Sequence, residues 1–169
     1  MSHTGVTMGH HIYLAGGLQG LGWFDNIILQ RVESSMESLG GDRTWARGAD
    51  MLQGREGACA VATSNNTFIV IGGQDDLSIL SSVEEFNTET GTWRSRAPMS
   101  GEGRYSHKCV NIGRDILVVG GFDGHDWLDS ALLYRVDTDT WSTAARLNQK
   151  KSDGEMVVVN GRIFYLGGK

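Results

Sequence analysis

Histidines, cysteines and acidic pairs are the side chains of this sequence that could carry chemistry, so the reading starts from their spacing. His3, His10, His11, His107 and His125 could hold zinc or copper only if three or four ligands converged from suitable spacing, and the sequence offers no such set. His10-His11 borders an apolar run and reads as exposed or part of a turn. His107 reads as a hydrogen-bonded structural residue, and His125 as a loop residue able to touch a partner. Asp75-Asp76 and Glu84-Glu85 have the side chains for acid/base work or cation binding. However, Asp75-Asp76 has turn character, and Glu84-Glu85 falls in a strand, where at least one side chain must face out or be paired. Asp123-Gly124-His125-Asp126 lacks the alternating ligands and terminal glutamate of a calcium loop. No GxxxxGK[ST], GxSxG or HExxH pattern is present. The sequence therefore points to no catalytic residue, no metal and no cofactor. Cys59 and Cys109 are the only cysteines; they read as reduced thiols packed in a core, which predicts a reducing, cytoplasmic setting.

The elements that must position these residues announce themselves as a repeat. Four apolar runs end in a glycine pair, HIYLAGG at 11–17, FIVIGG at 68–73, ILVVGG at 116–121 and IFYLGG at 163–168. Glycine is 24 of 169 residues, so about three such pairs would arise by chance, and Gly40-Gly41 is one out of register. The tryptophans decide the matter. Trp45, Trp93 and Trp141 are evenly spaced, and each precedes the closing glycine of the next pair (Gly73, Gly121, Gly168) by the same distance to within one position. An apolar residue follows each tryptophan by six positions: Met51, Met99 and Leu147. The first unit is longer, because the stretch from Gly17 to Trp45 exceeds those from Gly73 to Trp93 and from Gly121 to Trp141 by eight positions. Matching Val32 to Phe86 and Tyr134 places two of the extra eight before the third strand and six after it, in loops.

Each unit reads as four short strands, for example ACAVAT, TFIVIGG, SVEEFN and TWRSRA, separated by turn residues. The second strand is apolar on both faces and so needs a sheet on each side, which radial repetition provides. Glycine at its end permits a sharp turn beside a neighbouring sheet. Trp45, Trp93 and Trp141 are expected to fill the gaps between sheets as apolar plates whose indole N–H needs a partner. The paired glycines, the aromatic seven positions before the tryptophan (Phe86 to Trp93, Tyr134 to Trp141) and an arginine opening the next unit (Arg55, Arg104) together resemble the kelch repeat. Residues 104–141 are the fullest copy. The first unit departs from the pattern at Val32, and the last has no arginine near position 152.

The resemblance implies an all-β, kelch-type propeller of four-stranded antiparallel blades, incomplete in this chain. The repeats fall at about 1–50, 51–99 and 100–147, with a partial fourth at 148–169. Propellers close with 4 to 8 blades, so the sequence reads as a fragment of a longer ring, with closure between two chains as the lesser alternative. A formal charge of −5 gives no general attraction to nucleic acid or an anionic membrane, and no run approaches the 20 or so apolar residues of a membrane span. In such blades the loop between strands two and three and the link from strand four to the next strand one leave at the same end. That end collects LQGLGWFDN at 18–26, QDDLSILSS at 74–82 and FDGHDWLDS at 122–130. By resemblance to kelch propellers that read acidic peptides, Arg55, Arg104, Gln74 and Phe122 would face a ligand. Trp23, Phe24 and Trp127 break the repeat period and are expected in loops, with His125 beside them, as partner contacts. The expected function is a protein-interaction module, presenting substrates to a cullin-type ubiquitin ligase through a separate domain, or binding actin. The alternative is part of a kelch-superfamily copper oxidase or sugar-processing enzyme whose active site lies in other blades.

Overall fold

The computed structural model describes residues 3–8, 10–24, 27–32, 34–41, 43–64 and 66–169. In chain order the strands are β1 (Thr4–Met8), β2 (His11–Ala15), β3 (Leu18–Phe24), β4 (Ile27–Val32), β5 (Met36–Leu39), β6 (Trp45–Arg47), β7 (Cys59–Ala62) and β8 (Thr67–Ile71). They continue with β9 (Val83–Asn87), β10 (Thr92–Arg96), β11 (Lys108–Ile112), β12 (Asp115–Val119), β13 (Ala131–Arg135), β14 (Thr140–Ala144), β15 (Glu155–Val159) and β16 (Arg162–Leu166). Three four-stranded antiparallel sheets form, β1-β2-β5-β6, β7-β8-β9-β10 and β11-β12-β13-β14, together with the pairs β15-β16 and β3-β4. The first strands β1, β7, β11 and β15 contact one another in that order, so the sheets stand as blades along an arc that does not close into a ring among the described residues. This is the all-β, partial-propeller architecture read from the repeat.

Blades stack because their central strands are apolar on both faces. One face of blade 2 (Cys59, Val61, Ile69, Ile71, Val83) packs on Ile116, Val118, Leu132 and Tyr134 of blade 3. Its other side, through Phe68, Val70 and Phe86, packs on Met8, Ala15, Met36 and Met51 of blade 1 and its link. The tryptophans work as plates where a blade precedes them. Trp93 Nε1 donates to Ala49 O and Trp141 Nε1 to Ala97 O, both at 2.9 Å, and their rings lie 5.0 and 4.7 Å from Phe86 and Tyr134. Trp45 departs from the expectation. It has no sheet in front of it among the described residues and is 49% exposed.

Two further expectations are corrected. Pairing runs Phe86↔Trp93, Tyr134↔Trp141 and Leu39↔Trp45, so Leu39, not Val32, takes the place of the aromatic in blade 1. The stretch from Gly17 to Met36 is nearly twice as long as those from Gly73 to Val83 and from Gly121 to Ala131. Met36 to Trp45, by contrast, is one position shorter than Val83 to Trp93 and Ala131 to Trp141. The whole insertion thus precedes the third strand, as the β3-β4 hairpin, and Trp23 and Phe24 lie on strand β3 rather than in a loop. The cysteines are the second correction. Cys59 and Cys109 are joined by a disulfide, Sγ–Sγ 2.07 Å, between the first strands of blades 2 and 3. In register Cys59, opposite Ile71, matches Lys108, opposite Val119, so Cys109 is one position further along. Side chains alternate along a strand, and that single offset turns the two thiols toward each other across the gap between blades.

Candidate functional site

The loop-bearing end is built by a recurring knot of backbone. Gly72 (φ 60°) and Gly73 (φ 94°) end the second strand of blade 2 in the left-handed region. A Cβ on Gly72 would lie 2.7 Å from Arg104 O and 2.8 Å from the His107 ring, and one on Gly73 would lie 2.6 Å from Glu56 O. No side chain fits there, which is why the position is glycine. Gly73 N donates to Arg104 O (2.9 Å), as Gly17 N does to Arg55 O and Gly121 N to Lys151 O. That alignment puts Lys151 in the fourth unit where the others carry arginine.

Arg55 and Arg104 hold this knot from inside. Arg55 is 1% exposed; its Nη1 donates to Gly72 O (2.7 Å) and Ser82 O (3.3 Å), its Nη2 to Ser82 Oγ (3.2 Å), and it forms an ion pair with Glu84. Glu84 also accepts from Leu52 N (2.7 Å) and Gln53 N (3.1 Å). Arg104, 5% exposed, repeats the pattern on Gly120 O (3.0 Å), Ser130 O (3.4 Å) and Ser130 Oγ (3.3 Å). Blade 3 has Leu132 where blade 2 has Glu84, so the Arg104 guanidinium has no carboxylate beside it. Burial draws its pKa below the ordinary value, with Asp123 opposing. Both guanidiniums are therefore spent on tying the glycine turn to the third strand, and neither offers a surface to a partner in this conformation. The acidic pair read from sequence is likewise internal: Glu85 binds Arg94 (2.5 Å) and Arg96 (3.2 Å).

The residue after each arginine reaches the surface instead. Glu56 pairs with Gln74, which pairs with Ile79; Tyr105 pairs with Phe122, which pairs with Trp127. Each triple is a short antiparallel lattice that welds link to loop. In blade 2 its outward groups are polar, with Gln74 Nε2 donating to Glu56 Oε1 at 2.8 Å. Asp75 accepts from Leu77 N and Ser78 N (2.9 and 2.7 Å), which pushes the 94% exposed Leu77 outward. In blade 3 the lattice carries three rings. Tyr105 and Phe122 stand edge-on at 5.7 Å, and Phe122 and Trp127 lie 4.7 Å apart, with Trp127 37% exposed. Asp123 accepts from His125 N and Asp126 N, both at 2.8 Å, and those bonds hold its carboxyl below the usual range. Lys150 pairs with Asp126 beside the rings. His125 is exposed at the loop tip.

The structure thus brings Gln74, Phe122, His125 and Trp127 to one end of the arc, and it buries Arg55 and Arg104 beneath them. Trp23 and Phe24 are placed on the β3-β4 hairpin, and their side chains lie outside the described residues. Sequence reading missed Tyr105, Glu56 and Leu77. The alternation of an extended link, in which neighbours of a buried residue face out, is the signal that could have found the first two.

Between the first strands of the blades lies a polar cleft of about 290 Å³, lined by His3, His107, Lys108 and Glu155 among others. His107 is buried, and burial together with the nearby Arg104 charge pushes its pKa down to about 3, so its ring is neutral at pH 7. Among the described residues no three of His, Cys, Asp and Glu converge as metal ligands, and no helix is long and apolar enough to cross a membrane.

The family model of the KLHDC2/KLHL20/DRC7 Kelch-repeats domain matches residues 2–169. The chain belongs to this kelch-repeat family. Kelch-repeat domains are generally protein-interaction modules. No curated protein matches the chain.

Proposed function

We propose that this kelch domain binds a protein or peptide through the loop-bearing end of blades 2 and 3, with Trp127, Phe122 and Tyr105 as the anchor and Gln74, Leu77 and His125 around it. The observation that carries the reading is the aromatic lattice: three rings in contact, fixed by backbone pairing, with an exposed indole outermost. Rigid aromatic side chains on a preorganised scaffold are the usual anchors of protein interfaces. Arg55 and Arg104 enter this reading as supports that set the loops rather than as contacts. Peptides selected from a displayed library on the intact chain test it. Those binders are expected to lose about tenfold or more in affinity with Trp127→Ala or Phe122→Ala. Arg114→Ala, at the other end of blade 3, is expected to leave affinity unchanged. Binders indifferent to Trp127 and Phe122 refute the proposal.

Two finer roles belong to the same reading, presentation of a bound protein to a cullin-type ligase through a separate domain, and binding of actin. Co-sedimentation with filamentous actin, scored on the chain and its Trp127→Ala variant, separates them. A cytoplasmic setting goes with either role provided Cys59 and Cys109 are held as thiols there, which alkylation of freshly lysed cells measures.

A further inference from the structure

Blade 1 contains two segments written as a third strand. Residues 34–39, SSMESL, align with SSVEEF at 81–86 of blade 2. Residues 25–32, DNIILQRV, align with DSALLYRV at 129–136 of blade 3. Each keeps one spacing of the repeat. Gly17 stands as far before Ile27 as Gly73 does before Val83 and Gly121 before Ala131. Met36 stands before Trp45 at the distance that separates Val83 from Trp93 and Ala131 from Trp141, to within one position. A blade has one third-strand slot, beside the second strand.

In the structure β5 holds it. Gly16 N donates to Ser35 O as Gly72 N does to Ser82 O and Gly120 N to Ser130 O, and Met51 N donates to Ser34 O as Met99 N does to Ser81 O. The arrangement is short of pairing. β5 and β6 have four and three residues where their counterparts β9, β10, β13 and β14 each have five. Meanwhile, among the described residues, β4 is paired only with β3, in a two-stranded sheet of its own, and such hairpins are marginal in water.

We propose that β5 and β4 exchange in the third-strand slot of blade 1, so that the blade has two packings of one sequence. The register of the other blades fixes the second state: as Ile71 pairs with Val83 and Val119 with Ala131, Ala15 pairs with Ile27, Leu14 with Ile28, Tyr13 with Leu29 and Ile12 with Gln30. The two occupants have opposite strengths. β5 places Leu39 opposite Trp45 but pairs with four residues of β2; β4 in the second state also reaches the fifth, His11, with Arg31, but sets Gln30 at the position of Phe86 and Tyr134. Exchange turns 18–24 from a hairpin strand into a loop of the length seen at 74–80 and 122–128, and so remodels the loop-bearing end.

Proline in a central strand removes a ladder hydrogen bond, and native-state hydrogen exchange of the β2 amides reads the result. Ser38→Pro disables β5 and Leu29→Pro disables β4. Each single variant is expected to keep β2 protection within about tenfold of the wild type, and the double variant to lose on the order of a hundredfold or more, while β8 and β12 stay protected in all three. If either single variant matches the double, the slot has one owner and the proposal fails. A trap in an otherwise unchanged background covers variants that do not fold. Paired cysteines Leu14→Cys/Glu37→Cys and Leu14→Cys/Ile28→Cys are both expected to bridge, by peptide mapping, and bridging in only one overturns the exchange.

Discussion

The ion pair between Arg55 and Glu84 offers the sharpest test of how the glycine knot is held, because blade 3 contains the same socket without the carboxylate. Both side chains are buried, at 0% and 3% exposure. Glu84→Gln removes the charge while keeping an acceptor near Leu52 N and Gln53 N. Breaking a buried pair by neutralising one partner costs about 3–5 kcal/mol. The lower end applies here, since Arg55 retains Gly72 O and both oxygens of Ser82, the same three neutral acceptors that suffice for Arg104. About 3 kcal/mol in a domain of this size is a fall in melting temperature of about 6–12 °C. Arg55→Met, which leaves Glu84 buried without its cation, is expected to fall comparably. The double variant Arg55→Met/Glu84→Leu removes both charges and should return to within about 2 kcal/mol of the wild type, since apolar replacement of a buried pair is often near neutral. Thermal melts followed by near-ultraviolet circular dichroism measure all three, and the Glu84→Leu single variant closes the double-mutant cycle with Arg55→Met. A Glu84→Gln protein melting within about 2 °C of the wild type refutes the reasoning, as does an additive cycle.

Three further outcomes follow from the same geometry. Trp141→Ala is expected to cost about 3–5 kcal/mol, through lost packing on Tyr134 and the stranded Ala97 carbonyl. Trp45→Ala at its half-exposed site should cost about 1 kcal/mol or less, and equal losses in urea unfolding would deny the plate role. His107 titrates in the opposite sense to a stabilising cation: its folded pKa of about 3 lies below the ordinary 6.5, so the neutral ring stabilises fully above 6.5 and the gain is lost as pH falls. Stability should therefore drop by about 1.4 kcal/mol per pH unit between pH 6 and 4 beyond the drop seen in His107→Gln, and parallel curves would refute it. The Cys59–Cys109 bond spans 50 residues, for which chain entropy gives about 4 kcal/mol. Intact mass should show the chain lighter by two hydrogens than its reduced form, and reduction should lower the melting temperature; free thiols in the unreduced chain would show that the bond does not form.

What was legible in the sequence was whatever every blade needs. Gly72-Gly73 and Gly120-Gly121 are excluded from bearing side chains by the carbonyls of the next link, and Trp93 and Trp141 must each reach the previous one, so selection of residue type recurs at a fixed interval. Arg55 and Arg104 recur equally, and that regularity was itself the hint that they serve the scaffold. A charged side chain in a link reads as surface until the carbonyls of Gly72 and Ser82 are seen to surround it. Blade 1 is ambiguous at Val32 because two segments of similar pattern lie before Trp45, and spacing from Gly17 and spacing from Trp45 select different ones. The cysteine bond is hidden by one residue: Cys59 and Cys109 sit at nearly matching places, and only the hairpin register, Cys59 opposite Ile71 but Cys109 opposite Val118, shows them to face opposite ways.

The direction of the tryptophan bonds gives the arc a grain. The Trp93 and Trp141 indoles close on the stretch leaving the unit before them, and Gly17, Gly73 and Gly121 close on the stretch entering the unit after them, so the finishing contacts of blades 2 and 3 are supplied by their neighbours. A copied unit, inserted between any two, would arrive already carrying the clasp for both sides, which is how a row of this kind can lengthen by duplication without first having to invent a new joint.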